Sequence, residues 1–406
     1  MALVLTASMA AALLAGCGSS SSSSSTSEAA AEEETAEEET DEAAEATEEA
    51  EEETAEAPAE GGAALKIAIC SSPSGVDDGS FNTDNYNGIL DFIAENPDST
   101  VTPVREETGD TTAAVQAVAD IVADYDVIVC CGYQFAGIGT LAEENPDVDF
   151  LLVDSNPTNA DGEETEYDNV YAMTFCEQEG GFLAGVAAAM TTETGKVAVV
   201  NGIAYPSNVN YQYGFMSGVN YANAHYDTNA EIVEIASYAG TDVTGANVGG
   251  NYIGSFADEA TGKVVGQALI NEGCDVIFVA AGGSGNGVFT AAKEAGDVYI
   301  IGCDTDQYDD GANGDSNIIL TSALKIMGMN DEKQLNAIKD GTFKGGNFIL
   351  GADSDSVGYV SAEGRQQLSA EAIEKCDEAF ELIKSGEVVP AANFNGSTPD
   401  NFQGLE

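Results

Sequence analysis

Six short, nearly uninterrupted apolar runs constrain this chain more than any other feature: Leu65-Lys-Ile-Ala-Ile-Cys70, Asp126-Val-Ile-Val-Cys130, Phe150-Leu-Leu-Val-Asp154, Lys196-Val-Ala-Val-Val200, Asp275-Val-Ile-Phe-Val279 and Val298-Tyr-Ile-Ile-Gly302. Continuous apolarity, instead of alternation, marks strands covered on both faces. Gly- or Asp-rich turns and helix-period segments separate the runs, so the strands should be parallel with right-handed helical crossovers. The expected class is α/β. The rhythm breaks at an acidic, aromatic stretch from Asn169 into the small-residue segment ending at Gly185-Val-Ala-Ala-Ala-Met190, and restarts at Lys196. Two similar lobes in series are therefore expected.

In open parallel sheets a ligand lies beyond the carboxyl ends of the strands. The residues there are Ser74-Gly-Val-Asp-Asp-Gly-Ser-Phe-Asn82, Asp154-Ser-Asn156, Ala280-Ala-Gly-Gly-Ser-Gly-Asn-Gly287 and Asp304-Thr-Asp-Gln307. The stretch from Asp275 to Asp304 mimics a dinucleotide-binding unit, with an acid 19 residues after Gly285, but Val288 stands where G-x-G-x-x-G requires its third glycine. A dehydrogenase is thereby disfavoured.

Charge and the N-terminus narrow the function classes. The chain carries 12 Lys+Arg against 71 Asp+Glu, a net charge of −59, so nucleic acid and bare anionic membrane are poor partners. One histidine, His225, cannot build a His-rich zinc site; no metal or cofactor is expected. Residues Ala2 to Ala15 are apolar but too few to span a bilayer. The following Leu14-Ala-Gly-Cys17 resembles a bacterial lipobox, which assigns residues 1–17 to a lipoprotein signal with the lipid on Cys17. The start lacks a basic n-region, which suggests a natural start further upstream. Residues 18–63, Ser-rich and then acidic, hold 17 acids and no base between Glu28 and Glu60 and read as a disordered tether. The other seven cysteines are an odd number without a C-x-x-C pair; buried thiols are the expectation.

As a set, Gly75-Val-Asp-Asp-Gly-Ser-Phe-Asn82, Glu179-Gly-Gly-Phe-Leu-Ala-Gly185, Gly254-Ser-Phe-Ala-Asp258, Ala281-Gly-Gly-Ser-Gly-Asn-Gly-Val288, Ile301-Gly-Cys-Asp-Thr-Asp-Gln307 and Thr321-Ser-Ala-Leu-Lys325 resemble, in order, the motifs of the basic membrane protein family. That family comprises lipoprotein substrate-binding components of ABC importers, similar to purine-nucleoside receptors. The resemblance implies a type I periplasmic-binding fold: two Rossmann-like lobes joined by hinge strands, with residues 64–175 and about 303–326 in the N-terminal lobe, and 176–302 and about 327–406 in the C-terminal lobe. It implies a binding protein, not an enzyme, acting as a monomer with an ABC permease and its ATPase as partners and the lipid as its only membrane attachment. Phe81 and Phe256 would sandwich a purine, Asn82 and Asp154 would hydrogen-bond the ligand, Asp304 would accept from ribose hydroxyls, and Lys325 would reach the sugar; Asp78 and Gly283 complete the expected site. The chain departs from the family's pattern at Gly79, where Lys is common, and at Ile326-Met-Gly328, where basic residues are common.

Other readings stand beside these. Phe81 and Phe256 could be core aromatics, Asp154 and Asp304 could cap the next helices, and Lys325 could simply pair with an acid. Glu177 and Glu179 read as part of a solvated turn. A glycosidase could use paired carboxylates, yet no spacing identifies them and the chain lacks Trp. A sugar or signal molecule in place of a nucleoside, or a purely adhesive role, also fits the anchor and stalk.

Overall fold

The computed structural model describes residues 62–393 and 395–406. Cys17, the expected leader and the expected tether up to residue 61 lie outside them. No helix among the described residues is long and apolar enough to cross a membrane.

The chain first lays down β1 (Lys66–Ser71), α1 (Phe81–Glu95), β2 (Thr100–Arg105), α2 (Thr111–Ala119), β3 (Val127–Cys131), α3 (Gly139–Glu144), β4 (Asp149–Val153) and β5 (Val170–Phe175). It then passes through α4 (Glu177–Thr191) into β6 (Lys196–Asn201), α5 (Pro206–His225), β7 (Glu231–Ile232), a hairpin of β8 (Gly240–Thr241) and β9 (Asn247–Gly249), α6 (Glu259–Asn271), β10 (Val276–Ala280), α7 (Gly285–Ala295) and β11 (Tyr299–Asp304). A small hairpin, β12 (Ala312–Asn313) and β13 (Ser316–Asn317), leads to β14 (Ile319–Lys325), α8 (Met327–Lys339), β15 (Gly346–Leu350), β16 (Val357–Tyr359) and α9 (Ala370–Lys384).

These strands form two six-stranded sheets, β15-β5-β4-β3-β1-β2 and β16-β14-β11-β10-β6-β7. Every pairing in them is parallel except β14 with β16. The apolar runs are the central strands, and β3 and β10 are buried at every position. Helices cover both faces of each sheet, which is why those runs show no alternation. Strand β2 is the exposed edge, and there Pro103 removes an N–H without breaking a ladder on both sides.

The expected partition of the C-terminal half differs from the sheet topology. Residues 303–325 belong to the second sheet, not the first, and residues 327–350 return to the first: α8 packs on α1, and β15 pairs with β5. The physical reason lies at α8. Its first two N–H groups donate to Asp84 Oδ2 on α1, at 3.0 Å from Met327 and 2.9 Å from Gly328. An added Cβ on Gly88 would lie 2.0 Å from the Gly328 carbonyl oxygen, so the two helices touch backbone to backbone. The chain thus crosses between lobes three times, at 175–177, 325–327 and 350–357. The crossings brace one another: Cys176 N donates to Leu350 O, and Ile326 N donates to Ser356 O.

The small-residue helix α4 is buried almost throughout and lies directly on α5. Two glycines on each helix, four residues apart, make that possible. A Cβ on Gly181 or Gly185 would fall 2.5 Å or 2.2 Å from the carbonyl of Tyr211 or Phe215, and one on Gly214 or Gly218 would fall 2.2 Å or 2.0 Å from that of Gln178 or Phe182. An alanine there gains helix propensity worth roughly 1 kcal/mol but forces two backbones apart. Gly185→Ala and Gly218→Ala should therefore each lower stability by a net ~1–3 kcal/mol, read from chemical-denaturation midpoints; unchanged midpoints would mean that the helices are not in backbone contact.

Candidate ligand-binding site

A cavity lies where the carboxyl ends of the two sheets face each other, the place where open parallel sheets hold small ligands. The first lobe contributes Ser72, Ser74, Asp78, Phe81, Asn82, Tyr133, Gln134 and Asp154; the second contributes Tyr205, Ser207, Asn208, Tyr211, Phe256, Gly282, Asp304 and Lys325. The expected residues Asp78, Phe81, Asn82, Asp154, Phe256, Asp304 and Lys325 thus meet around one space. Gly283 does not line it. Its missing Cβ instead makes room for Ser74 Cβ and the Phe256 carbonyl, each 3.2 Å from where that Cβ would sit.

Lys325, the last residue of β14, stands at the centre. Its side chain is 2% exposed, and its Nζ lies 2.7 Å and 2.9 Å from the two oxygens of Asp154, 3.6 Å from Glu177 and 3.9 Å from Asp304. It also sits 4.8 Å from the centre of the Phe81 ring. Burial works to discharge this amine, but Asp154, Asp304 and Glu177 hold its pKa above the ordinary value. The ion pair that was an alternative reading of Lys325 is therefore present, and it faces the cavity as well.

Neither strand-end aspartate caps a helix. Asp154 and Asp304 have φ of +63° and +70°, two of four non-glycine residues in the left-handed region among those described. That backbone costs free energy and turns each carboxylate back toward the cleft. Asp154 accepts from Lys325 on both oxygens, while Asp304 accepts from Tyr211 Oη at 3.0 Å, from Ser80 Oγ at 2.8 Å and from Cys303 Sγ at 3.5 Å. The Ser80 bond crosses between lobes, as does the one from Gln307 Nε2 to Gly79 O at 2.9 Å. Tyr133 and Tyr205 also meet across the mouth, with ring centres 5.0 Å apart. This conformer is closed.

Phe81 and Phe256 are half-buried and line the cavity from opposite lobes. The Phe256 ring packs against Gly202, where a Cβ would fall 2.2 Å from a ring carbon. Sequence reasoning missed Gly202, Tyr211, Ser80 and Glu177. The Asn-Gly pair at the end of β6 was an available signal for Gly202. Glu177 is no solvated turn: it is 3% exposed, opens α4 at the first lobe crossing, and accepts from Asn210 Nδ2 at 3.0 Å. Glu179 is partly buried and accepts from Ala352 N at the third crossing.

The family described as ABC transporter substrate-binding protein, PnrA-like (Bmp), matches residues 64–247 and 236–393. The chain belongs to this Bmp family. It is 31% identical over 338 residues to the CD4+ T-cell-stimulating antigen of Listeria monocytogenes, covering 79% of this chain and 87% of that relative. It is 30% identical over 306 residues to the ABC transporter nucleoside-binding protein BmpA of Lactococcus lactis, covering 70% and 78%. In fold it is similar to an ABC solute-binding protein of Aeropyrum pernix, with a TM-score of 0.67 at 22% identity over 82% of this chain and 94% of that one. The periplasmic-binding type of fold is as expected. At the positions where departures from the family pattern are expected from sequence, the residues serve the lobe junctions: Gly79 (φ +72°) presents its carbonyl to Gln307, and Met327 and Gly328 give their N–H groups to Asp84.

All seven cysteines after Cys17 are free thiols, six buried and Cys176 half-buried. Burial pushes Cys176 and Cys274 up to about 12, which keeps them unreactive.

The buried acids give a signed pH dependence. Burial raises Asp84 from 3.8 to about 6, and Glu177 and Glu179 from 4.5 to about 7. Between those limits the folded chain binds more protons than the unfolded one, so stability falls as pH rises through the window. The melting temperature should be higher near pH 5 than near pH 8. A rise over that interval would show that these carboxylates are not buried against their charge.

Proposed function

We propose that this ABC substrate-binding protein captures a purine nucleoside between its lobes and hands it to an ABC permease from the outer face of the membrane, where the lipid on Cys17 holds it. The observation that carries the reading is the cavity between the lobes in which Phe81 and Phe256 from opposite lobes accompany Asp154, Asp304 and Lys325. Aromatic rings grip any flat base, and a carboxylate accepting from a vicinal diol separates a nucleoside from its free base. Asp304 retains an acceptor position for that task, since a carboxylate offers about four and the Tyr211 and Ser80 hydroxyls and the Cys303 thiol use three. Asp154, Glu177 and Asp304 surround one ammonium and Asp78 lines the same wall, so the wall is net acidic and favours a neutral, donor-rich ligand over a phosphorylated one. The Lactococcus relative is named a nucleoside-binding protein, which agrees with this reading.

Because each lobe supplies part of the contact surface, ligand binds the closed conformer best and draws the three crossings shut. Mass spectrometry of small molecules released from purified protein should reveal a nucleoside. In calorimetric titrations, Phe81→Ala and Phe256→Ala should weaken nucleoside and free base alike, by about 1–3 kcal/mol each. Asp304→Ala should weaken the nucleoside by about 1.5–3 kcal/mol and spare the base. Absence of binding by the parent protein would overturn the purine assignment; equal losses for nucleoside and base at Asp304 would place that carboxylate elsewhere than on the sugar.

A further inference from the structure

Asp78 lines the cavity, yet its own loop occupies its carboxylate. Oδ1 accepts from Ser80 N at 3.1 Å, Thr83 N at 3.0 Å and Thr83 Oγ1 at 3.1 Å. Oδ2 accepts from Asn82 N at 3.2 Å and from Asn82 Nδ2 at 2.8 Å. Five donors from the first turn of α1 hold this carboxylate in place and leave it little capacity for a ligand.

The last of these bonds decides which way the Asn82 amide points. Its Nδ2 also meets Ser72 Oγ at 2.9 Å and Ser74 Oγ at 3.3 Å. Those serines bond each other at 2.8 Å and can serve as donor or acceptor, so they do not choose between the two orientations of the amide. A carboxylate can only accept. Turning the amide over would set Asn82 Oδ1 against Asp78 Oδ2, acceptor on acceptor. The NH2 is therefore committed to the loop, and the carbonyl oxygen is what remains. Asn82 is 1% exposed and lines the cavity, and its Oδ1 has no hydrogen-bond partner in the protein. A buried acceptor in that state awaits a donor.

Resting on the nucleoside reading, we propose that Asp78 is a positioning residue that fixes Asn82 Oδ1 as an acceptor toward the ligand, so that the site selects a molecule placing an N–H or O–H at that point. A ligand with an acceptor or anion there would leave two lone pairs facing each other in a water-poor wall, a mismatch that specificity sites exploit. Asp78, expected from sequence to bind the ligand, acts through Asn82 instead.

The test exchanges the pair. Inosine and adenosine are titrated by calorimetry against the parent, Asp78→Asn, Asn82→Asp and the double variant, and melting temperatures of all four are taken without nucleoside. Asp78→Asn frees the amide to turn, and Asn82→Asp sets two carboxylates against each other. Each should lower the melting temperature and weaken the bound nucleoside by about tenfold or more, the cost of an unmatched buried polar group. The double variant restores one donor facing one acceptor in the reverse sense and still presents an oxygen to the ligand. It should recover the part of the melting temperature that the side-chain pair carries, though not the part lost where the amide at 78 no longer accepts a backbone N–H, and bind to within about threefold of the parent, the signature of direct coupling. Additive melting losses would overturn the fixed orientation. A double variant that regains its melting temperature but binds no better than the weaker single variant would overturn the role toward ligand. If the parent binds neither nucleoside, the purine reading falls, and the melting cycle alone decides whether Asp78 orients Asn82.

Discussion

One buried ammonium holds the molecule's two halves in register. Lys325 ends the strand from which the chain leaves the second sheet, and its nearest partner, Asp154, directly follows β4 of the first. Glu177 opens the helix at another crossing, and Asp304 ends the strand beside β14. A group with 2% exposure cannot stay charged without compensation, nor can three carboxylates share so small a space without a cation. Each side requires the other, so the lobes, the crossings and the cavity wall are tied to one electrostatic condition. In a chain with only 12 basic residues, the placement of a lysine there is a strong constraint.

The rest of the cleft follows from that arrangement. The left-handed backbone at Asp154 and Asp304 aims both carboxylates inward. Ser80 and Gln307 then join the loop before α1 to the second lobe, and Asp84 ties α8 to α1. The glycines of α4 and α5 let the buried helix after the first crossing pack against its neighbour without a layer of side chains between them.

Much of this was legible in the sequence where the physics is local. Runs apolar at every position could only be strands covered on both faces, and the rim residues after them are the ones that line the cavity. Less legible were elements whose identity depends on a distant partner. Strand β15, Gly346–Leu350, is a half-exposed edge with glycines before it, and its strand character comes from pairing with β5 across more than 170 residues. The exit of β14 into the first lobe is set by Asp84 and by the Gly88–Gly328 contact, neither of which has a periodic signature. Glu177 reads as a solvated acid until Lys325 and Asn210 are brought to it. Asp78 shows the reverse: its place on the rim was readable, but that its own loop uses its carboxylate was not.

The account makes Lys325 the counter-charge for three carboxylates, and that is open to one direct measurement: the stability of Lys325→Met relative to the parent as a function of pH. Without the ammonium, Asp154, Glu177 and Asp304 are buried uncompensated near pH 8, where breaking such a pair costs about 3–5 kcal/mol. Toward pH 5 protons can replace the lost charge, as the already raised Glu177, at about 7, shows. The account predicts a large loss of stability at pH 8 that shrinks markedly by pH 5. A loss of the same size at both would contradict it and reduce Lys325 to a packing residue.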